Sequence, residues 1–444
     1  MDFGMGRTLL QSKIQNLKSK IAVPDTILKT RLPGGLLLLT EQMPHVRSVS
    51  LGVWLKTGAR YESGEQLGVC HFLEHMLFKG SPSRSAEQIA KAVDALGGNL
   101  DAFTSKDTIC FSAKVLDEHL PAILDIMADV VQNPAFPEVE LEREKRVILE
   151  EIKMVEDTPD DLVHELFFER LWKDHGLGHP ILGTRRAVRD MSRSTVVEYF
   201  RKYFVSENLL VSAAGNLDHD ALAREVRLRF EGLTTGRIAD DDKPPQINPG
   251  VVLRNKKELE QVHVCIGIPA YAIGHPDRWA AYVLNVILGA GMSSRLFLNI
   301  RERRGLAYSV FSSITPYRDA GALTVYAGTA LDNVDEVIGL ILKEFTALKA
   351  QPLAPEELAL AKSHLKGNLM LSLESTTSRM TNLAHQELYF GRFFNLDQIV
   401  ELIEAVTAEQ VRRVAGELFV ADTLTACVIG PLEGWKLKKE QLVC

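Results

Sequence analysis

The sequence predicts an α+β protein made of two homologous halves, each a mainly antiparallel β-sheet covered by helices. Three observations predict this. Short stretches alternate apolar and polar residues, as in Val49, Leu51, Val53 and Leu55, which is the period-2 signature of a strand. Longer stretches repeat their apolar residues at helical spacing, as between Asp117 and Asn133. The order of these elements then recurs after a central stretch rich in acid, Pro and Gly.

Taken in order, residues 1–25 are a basic arm with Arg7, Lys13, Lys18 and Lys20 against Asp2, read as a short helix or an extension. The first half is placed at 26–235. Pro33-Gly34-Gly35 makes a turn and Leu36 to Leu39 a strand. Val49 to Lys56 is a second strand, and a Gly-rich loop leads to a helix at 67–78 that Gly80-Ser81-Pro82 ends. Ser85 to Leu96 is a helix stopped by Gly97-Gly98, and 99–115 alternates as a hairpin. The helix after it accepts Pro121 in its first turn. Pro134 and Pro137 precede a charged helix, Glu138 to Glu156; 160–205 reads as helical, Leu209 to Gly215 as a strand and Asp218 to Phe230 as a helix.

Residues 236–250, with Asp240-Asp241-Asp242-Lys243-Pro244-Pro245, read as a linker to a second half at 251–444. There Val262 to Pro269 answers Val49 to Lys56, and Trp279 to Gly289 answers the helix at 67–78. Leu306 to Thr315 and Gly321 to Gly328 answer the hairpin, and Glu356 to Leu373 answers the charged helix. The final strand recurs as Leu424 to Gly430. Each copy spans ~200 residues, an ordinary domain size.

The chain has 444 residues, 46% hydrophobic and 25% charged, in the range of globular proteins. Its net charge of −7 argues against a nucleic-acid partner, and no run approaches the ~18 apolar residues of a membrane span. The five cysteines are scattered without a C-x-x-C pair, which fits free thiols in a reducing compartment.

The chemistry concentrates in Val69-Cys70-His71-Phe72-Leu73-Glu74-His75-Met76-Leu77-Phe78. On a helix His71, Glu74 and His75 share one face, while Phe72, Leu73, Met76 and Leu77 can pack. Two imidazoles so placed can hold Zn²⁺, and the carboxylate between them can act on a metal-bound water. Cys70 projects about 100° from His71 and is not expected as a ligand. A catalytic zinc usually takes three protein ligands. The acidic helix offers Glu144, Glu150 and Glu151, and periodicity does not choose among them. The second half has Asn285-Val286-Ile287-Leu288-Gly289 at the matching place, and Lys362, Ser363 and His364 on the later helix. One half is therefore expected to be catalytic and the other metal-free.

The chain resembles the pitrilysin-type inverted zincins, and within them the group of the mitochondrial processing peptidase β subunit and its bacterial relatives. The resemblance spans roughly residues 26–430. It rests on the H-x-x-E-H stretch through Gly80, on Glu144 to Glu151, and on Arg301-Glu302-Arg303-Arg304-Gly305-Leu306-Ala307-Tyr308. It implies two halves facing each other like a clam shell around an enclosed cavity. It implies one Zn²⁺ per chain on His71, His75 and Glu151, Glu74 as general base, and Glu144 in support. Arg301 and Tyr308 would reach across to hold the substrate and the oxyanion. The implied activity is a zinc endopeptidase acting on peptides or unfolded segments bound as an added strand. The alternative is a non-catalytic or partner-dependent subunit of a processing-peptidase-like heterodimer. A homodimer is expected, with a heterodimer as the alternative. A bacterial cytoplasm is the expected setting, with the mitochondrial matrix as the alternative. The chain departs from the family at Asp101-Ala102, where Asn-Ala is common, which makes Asp101 a suspect for specificity toward cationic residues. It also lacks the long Gly-rich loop of the non-catalytic partner subunits.

Overall fold

The computed structural model describes residues 26–238 and 243–444. The N-terminal arm and residues 239–242 of the linker lie outside the described residues.

The first sheet has six strands: β1 (Ile27–Arg31), β2 (Leu37–Gln42), β3 (Ser48–Leu55), β4 (Asn99–Thr104), β5 (Ile109–Leu116) and β6 (Leu209–Gly215). Their order is β1-β2-β6-β3-β5-β4, antiparallel except for the parallel pair β2–β6. The second sheet has five: β7 (Val251–Asn255), β8 (Val262–Ala270), β9 (Ala307–Pro316), β10 (Gly321–Thr329) and β11 (Thr425–Gly430). Their order is β7-β11-β8-β10-β9, and again only β7–β11 is parallel. Without β1 the two orders coincide strand for strand, so the duplication inferred from the sequence is a duplication of topology. Strand β7 carries no period-2 signal: its five residues, VVLRN, run from half-buried to exposed and offer no alternation.

The first half adds helices α1 (Val69–Leu77), α2 (Ala86–Ala95), α3 (Leu120–Gln132), α4 (Glu138–Asp157), α5 (Pro159–Leu171), α6 (Arg185–Asp190), α7 (Arg193–Tyr203) and α8 (His219–Arg229). The second adds α9 (Arg278–Leu288), α10 (Val334–Ala350), α11 (Pro355–Ser372), α12 (Thr376–Phe390), α13 (Leu396–Glu404) and α14 (Ala408–Leu418). Helices α12 to α14 fill the stretch between α11 and β11. Each half has its own core. One gathers Val49, Leu51, Phe72, Met76, Phe111 and Ile148; the other gathers Val264, Leu284, Leu288, Leu323 and Phe345.

Chain order alone assigns α5 to the first half, yet it packs on the second sheet. Its Val163, Phe167 and Leu171 are buried against Cys265, Tyr326, Cys427 and Ile429 of β8, β10 and β11. Helix α12 does the reverse, burying Met380, Leu383 and Ala384 against Leu39, Trp54 and Leu210 of the first sheet. Each sheet keeps a glycine beneath its borrowed helix. A Cβ on Gly267 would come within 2.6 Å of the Phe167 ring, and one on Gly52 within 2.5 Å of Met380 Sδ. Burying each large apolar side chain contributes roughly 1.5–3 kcal/mol, so the exchange joins the halves through two apolar clusters. The halves face each other like a clam shell whose two valves share this seam.

Candidate metal centre

Helix α1 buries Phe72, Leu73, Met76 and Leu77 completely and turns His71, Glu74 and His75 outward from that core. Helix α4 packs against it and buries Leu141, Glu144, Ile148 and Ile152. The two polar faces meet. His71 Nε2 and His75 Nε2 each lie 3.7 Å from Glu151 Oε2, and the three ligand atoms fit within 4.8 Å of one another. Metal bonds of about 2.0–2.1 Å at tetrahedral angles separate ligand atoms by roughly 3.3 Å. Glu151 Oε2 is buried and has no hydrogen-bond partner among the described residues. An orphaned carboxylate oxygen facing two imidazole nitrogens is a donor set that a zinc ion fits.

Glu144 does a different job. Its Oε2 lies 2.9 Å from His75 Nδ1 and its Oε1 accepts from Lys79 Nζ at 2.6 Å. A carboxylate on Nδ1 fixes the tautomer that leaves Nε2 free for a metal. Burial pushes the Glu144 carboxyl up, but the hydrogen bonds from Lys79 and His75 outweigh it and hold the group below its ordinary range. The adjacent alternative, Glu150, is exposed. Burial, with His75 as the second cause, lowers His71 to about 4, so its imidazole is neutral at pH 7.

Glu74 sits beside the triad on the same helix. Its Oε2 accepts from Thr104 Oγ1 at 2.6 Å. Burial raises its carboxyl above the ordinary range and the Thr104 bond partly offsets this. Thr104 belongs to β4, the edge strand of the first sheet, so the site opens beside a strand edge with free backbone groups. Asp101 is exposed on the same strand, three residues away and hence on the opposite face.

The second-half pair is brought together, apart from the triad. Arg301 lies in the helical turn Phe297–Glu302, its guanidinium 5.1 Å from the Tyr308 ring. Tyr308 is 78% exposed on β9, the edge strand of the second sheet. No hydrogen bond or ion pair joins either residue to His71, His75 or Glu151 among the described residues.

Three residues of the site escaped sequence reasoning: Thr104, Lys79 and Glu62. Lys79 stands four residues past His75, one helical turn, and that spacing was the available signal. Thr104 and Glu62 meet their partners at no helical or strand spacing and carried no such signal. Glu62 is buried, and its Oε2 and Oε1 accept from the backbone N–H groups of Gly68 (2.7 Å) and Cys70 (2.6 Å) at the start of α1.

Two imidazoles and a carboxylate converging beside a strand edge of a duplicated α+β shell, with a second carboxylate alongside, define a metallopeptidase. Comparison with known proteins agrees. Residues 37–185 match the insulinase (peptidase family M16) domain and residues 190–365 the peptidase M16 inactive domain. An uncharacterized zinc protease of Bacillus subtilis is 41% identical over 394 residues, covering 89% of this chain and 96% of the relative. One from Mycobacterium leprae is 39% identical over 434 residues, 96% of each chain. Among solved structures, a protease from Helicobacter pylori superposes with a TM-score of 0.85 at 22% identity, over 91% of this chain and 99% of that one. The chain belongs to the insulinase family of peptidases, family M16. These relatives are bacterial, and no helix among the described residues is long and apolar enough to cross a membrane.

Proposed function

We propose that the chain is a zinc endopeptidase that holds one Zn²⁺ on His71, His75 and Glu151 and cuts peptides or unfolded segments in an enclosed cavity. The observation that carries this reading is the convergence of His71 Nε2, His75 Nε2 and the orphaned Glu151 Oε2, with Glu74 beside them. Residues 26–235 are the half that carries this site, and 251–444 the half that holds substrate. Zinc, when bound, would supply a Lewis acid and make the attacking water more acidic. Glu74 accepts the proton of that water on a carboxylate oxygen and returns it to the leaving amine. Glu144 holds His75 in its ligating tautomer. A peptide adds to the edge strand β4 by main-chain hydrogen bonds, and Asp101 on that strand favours cationic side chains. Arg301 and Tyr308 bind substrate carbonyls and the oxyanion when the halves close on a peptide.

We place the enzyme in a bacterial cytoplasm as a homodimer. All five cysteines are free, which suits a reducing compartment, and every proposed catalytic group lies in one chain. Stripping the purified chain with a chelator should abolish cleavage of a quenched basic peptide, and stoichiometric zinc should restore it. Cleavage that ignores the chelator refutes a zinc peptidase. Light scattering on the same sample tests the dimer, and activity of the chain purified alone rules out an obligatory second subunit.

A further inference from the structure

Arg60, Tyr61 and Glu62 are consecutive residues of the loop ahead of α1, and each faces a different neighbour. Helix α1 is preceded at its N-cap by Gly68, whose φ of +89° suits glycine and which has no side chain to cap the helix. Glu62 supplies the missing cap with both carboxylate oxygens, one on the N–H of Cys70, the residue before His71. Tyr61 OH accepts from Arg318 Nη1 at 2.8 Å. The Arg60 side chain is fully buried; its Nη1 donates to Asp107 Oδ1 at 2.9 Å and its Nη2 to Asp319 Oδ2 at 2.8 Å. Asp107 Oδ2 in turn accepts from Tyr389 OH at 3.0 Å and from the Arg318 N–H at 3.3 Å.

Arg318 and Asp319 form the turn between β9 and β10, and Tyr389 lies near the end of α12. Asp107 lies in the equivalent turn between β4 and β5. The tips of the two matching hairpins therefore meet at Arg60. The surrounding backbone leaves this segment little room. A Cβ on Gly176 would lie 1.9 Å from Arg60 O, one on Gly68 2.7 Å from Leu182 O, and one on Gly183 2.4 Å from Leu67 O. Two residues along the chain separate the Arg60 end from Glu62, the cap of α1.

We propose that Arg60-Tyr61-Glu62 is a bracket through which the second half positions the zinc-binding helix. Glu62 is a positioning residue that acts through α1, and Asp319 acts through Arg60. The metal-free half then serves the metal centre as well as the substrate. This inference rests on the zinc reading above.

The test uses the full chain, with Asp319→Asn, Glu62→Gln, Tyr61→Phe and the double variant of the first two. The readouts are zinc loss to excess chelator, kcat and KM on a quenched peptide, and thermal melting. Asp319→Asn keeps an oxygen acceptor for Arg60, so it is the variant chosen to preserve the fold. Asp319→Asn and Glu62→Gln should each lose zinc ~10-fold faster and lower kcat ~10-fold with KM unchanged, the size of effect seen when groups that orient metal ligands are altered. Tyr61→Phe should move both readouts the same way by less. The double variant should fall short of the product of its parts, since both residues act through one element. A simple stabilising role would lower the melting temperature without changing zinc loss in the folded protein. Folded variants that keep zinc and kcat at wild-type values overturn the proposal, as do effects that multiply in the double variant. If Glu62→Gln does not fold, Asp319→Asn and Tyr61→Phe decide on the same criteria. A wild type that holds no zinc sinks the zinc reading and the bracket with it; a zinc-loaded wild type beside unaffected variants sinks the bracket alone.

Discussion

Helices α1 and α9 occupy the same place in two sheets of the same topology, and only α1 has the groups for a metal. Helix α1 turns two histidines and a glutamate toward Glu151 of α4. Helix α9 ends in Asn285 to Leu288 and Gly289, and a Cβ on Gly289 would meet Ser312 N at 2.6 Å. Asn285 Oδ1 accepts from Ser312 Oγ at 2.7 Å, so helix and edge strand close on each other without a gap. The counterpart of α4 is α11, whose Lys362 donates to the Glu404 backbone carbonyl. Strand order, parallel pair and borrowed helix are common to both halves. The side chains able to hold a metal, His71, His75 and Glu151, gather on one face of α1 and the facing turn of α4.

The borrowed helices should be equivalent in weight: Phe167→Ala and Met380→Ala should cost about 3–5 and 2–5 kcal/mol respectively, as emptied core positions do. Urea unfolding should stay a single transition in both. Independent melting of one half would contradict the shared seam. Next in size is the contribution of the metal-free half. Arg301→Ala should lower kcat by about 10²-fold with zinc content unchanged, the usual consequence of losing an oxyanion donor. Tyr308→Phe should do so by less. Unchanged kcat in both would leave the second half without a catalytic role. Glu144→Gln should weaken zinc binding by about 10–100-fold, measured by competition with a chelating dye. Wild-type affinity there would detach Glu144 from the centre.

The smallest effect is on pH. Burial raises the Glu62 carboxyl to about 7, against the pull of the Cys70 and Gly68 amides. A carboxyl raised on folding takes up a proton between its ordinary value, ~4.3, and about 7, so stability declines as pH rises through that window. The slope is at most about 1.4 kcal/mol per pH unit. Glu62→Gln should remove it, whereas α9, which has no side-chain cap, contributes no such slope. Equal pH slopes in wild type and variant would contradict this.

Much of the fold was legible in the sequence because it is written in local periods. The H-x-x-E-H face needs only helical spacing, and the duplicated element order needs only strands and helices in series. Glu151 could not be told from Glu150 or Glu144 by periodicity, since the choice depends on how α4 rolls against α1. The exchange of α5 and α12 left no local mark, because a helix reads the same whichever sheet it covers. Thr104 and Glu62 were hidden because their partners lie 30 residues away, beyond helix α2, and six to eight residues away around a tight loop.

Zinc content and peptide cleavage, measured together in wild type and Glu74→Gln, decide whether Glu74 acts on a zinc-bound water. The expected result is about one zinc per chain in both, with kcat reduced by about 10²–10⁴-fold in the variant, the range of general acid–base catalysis. Retained cleavage in a zinc-loaded Glu74→Gln, or a wild type that is active without zinc, would contradict it.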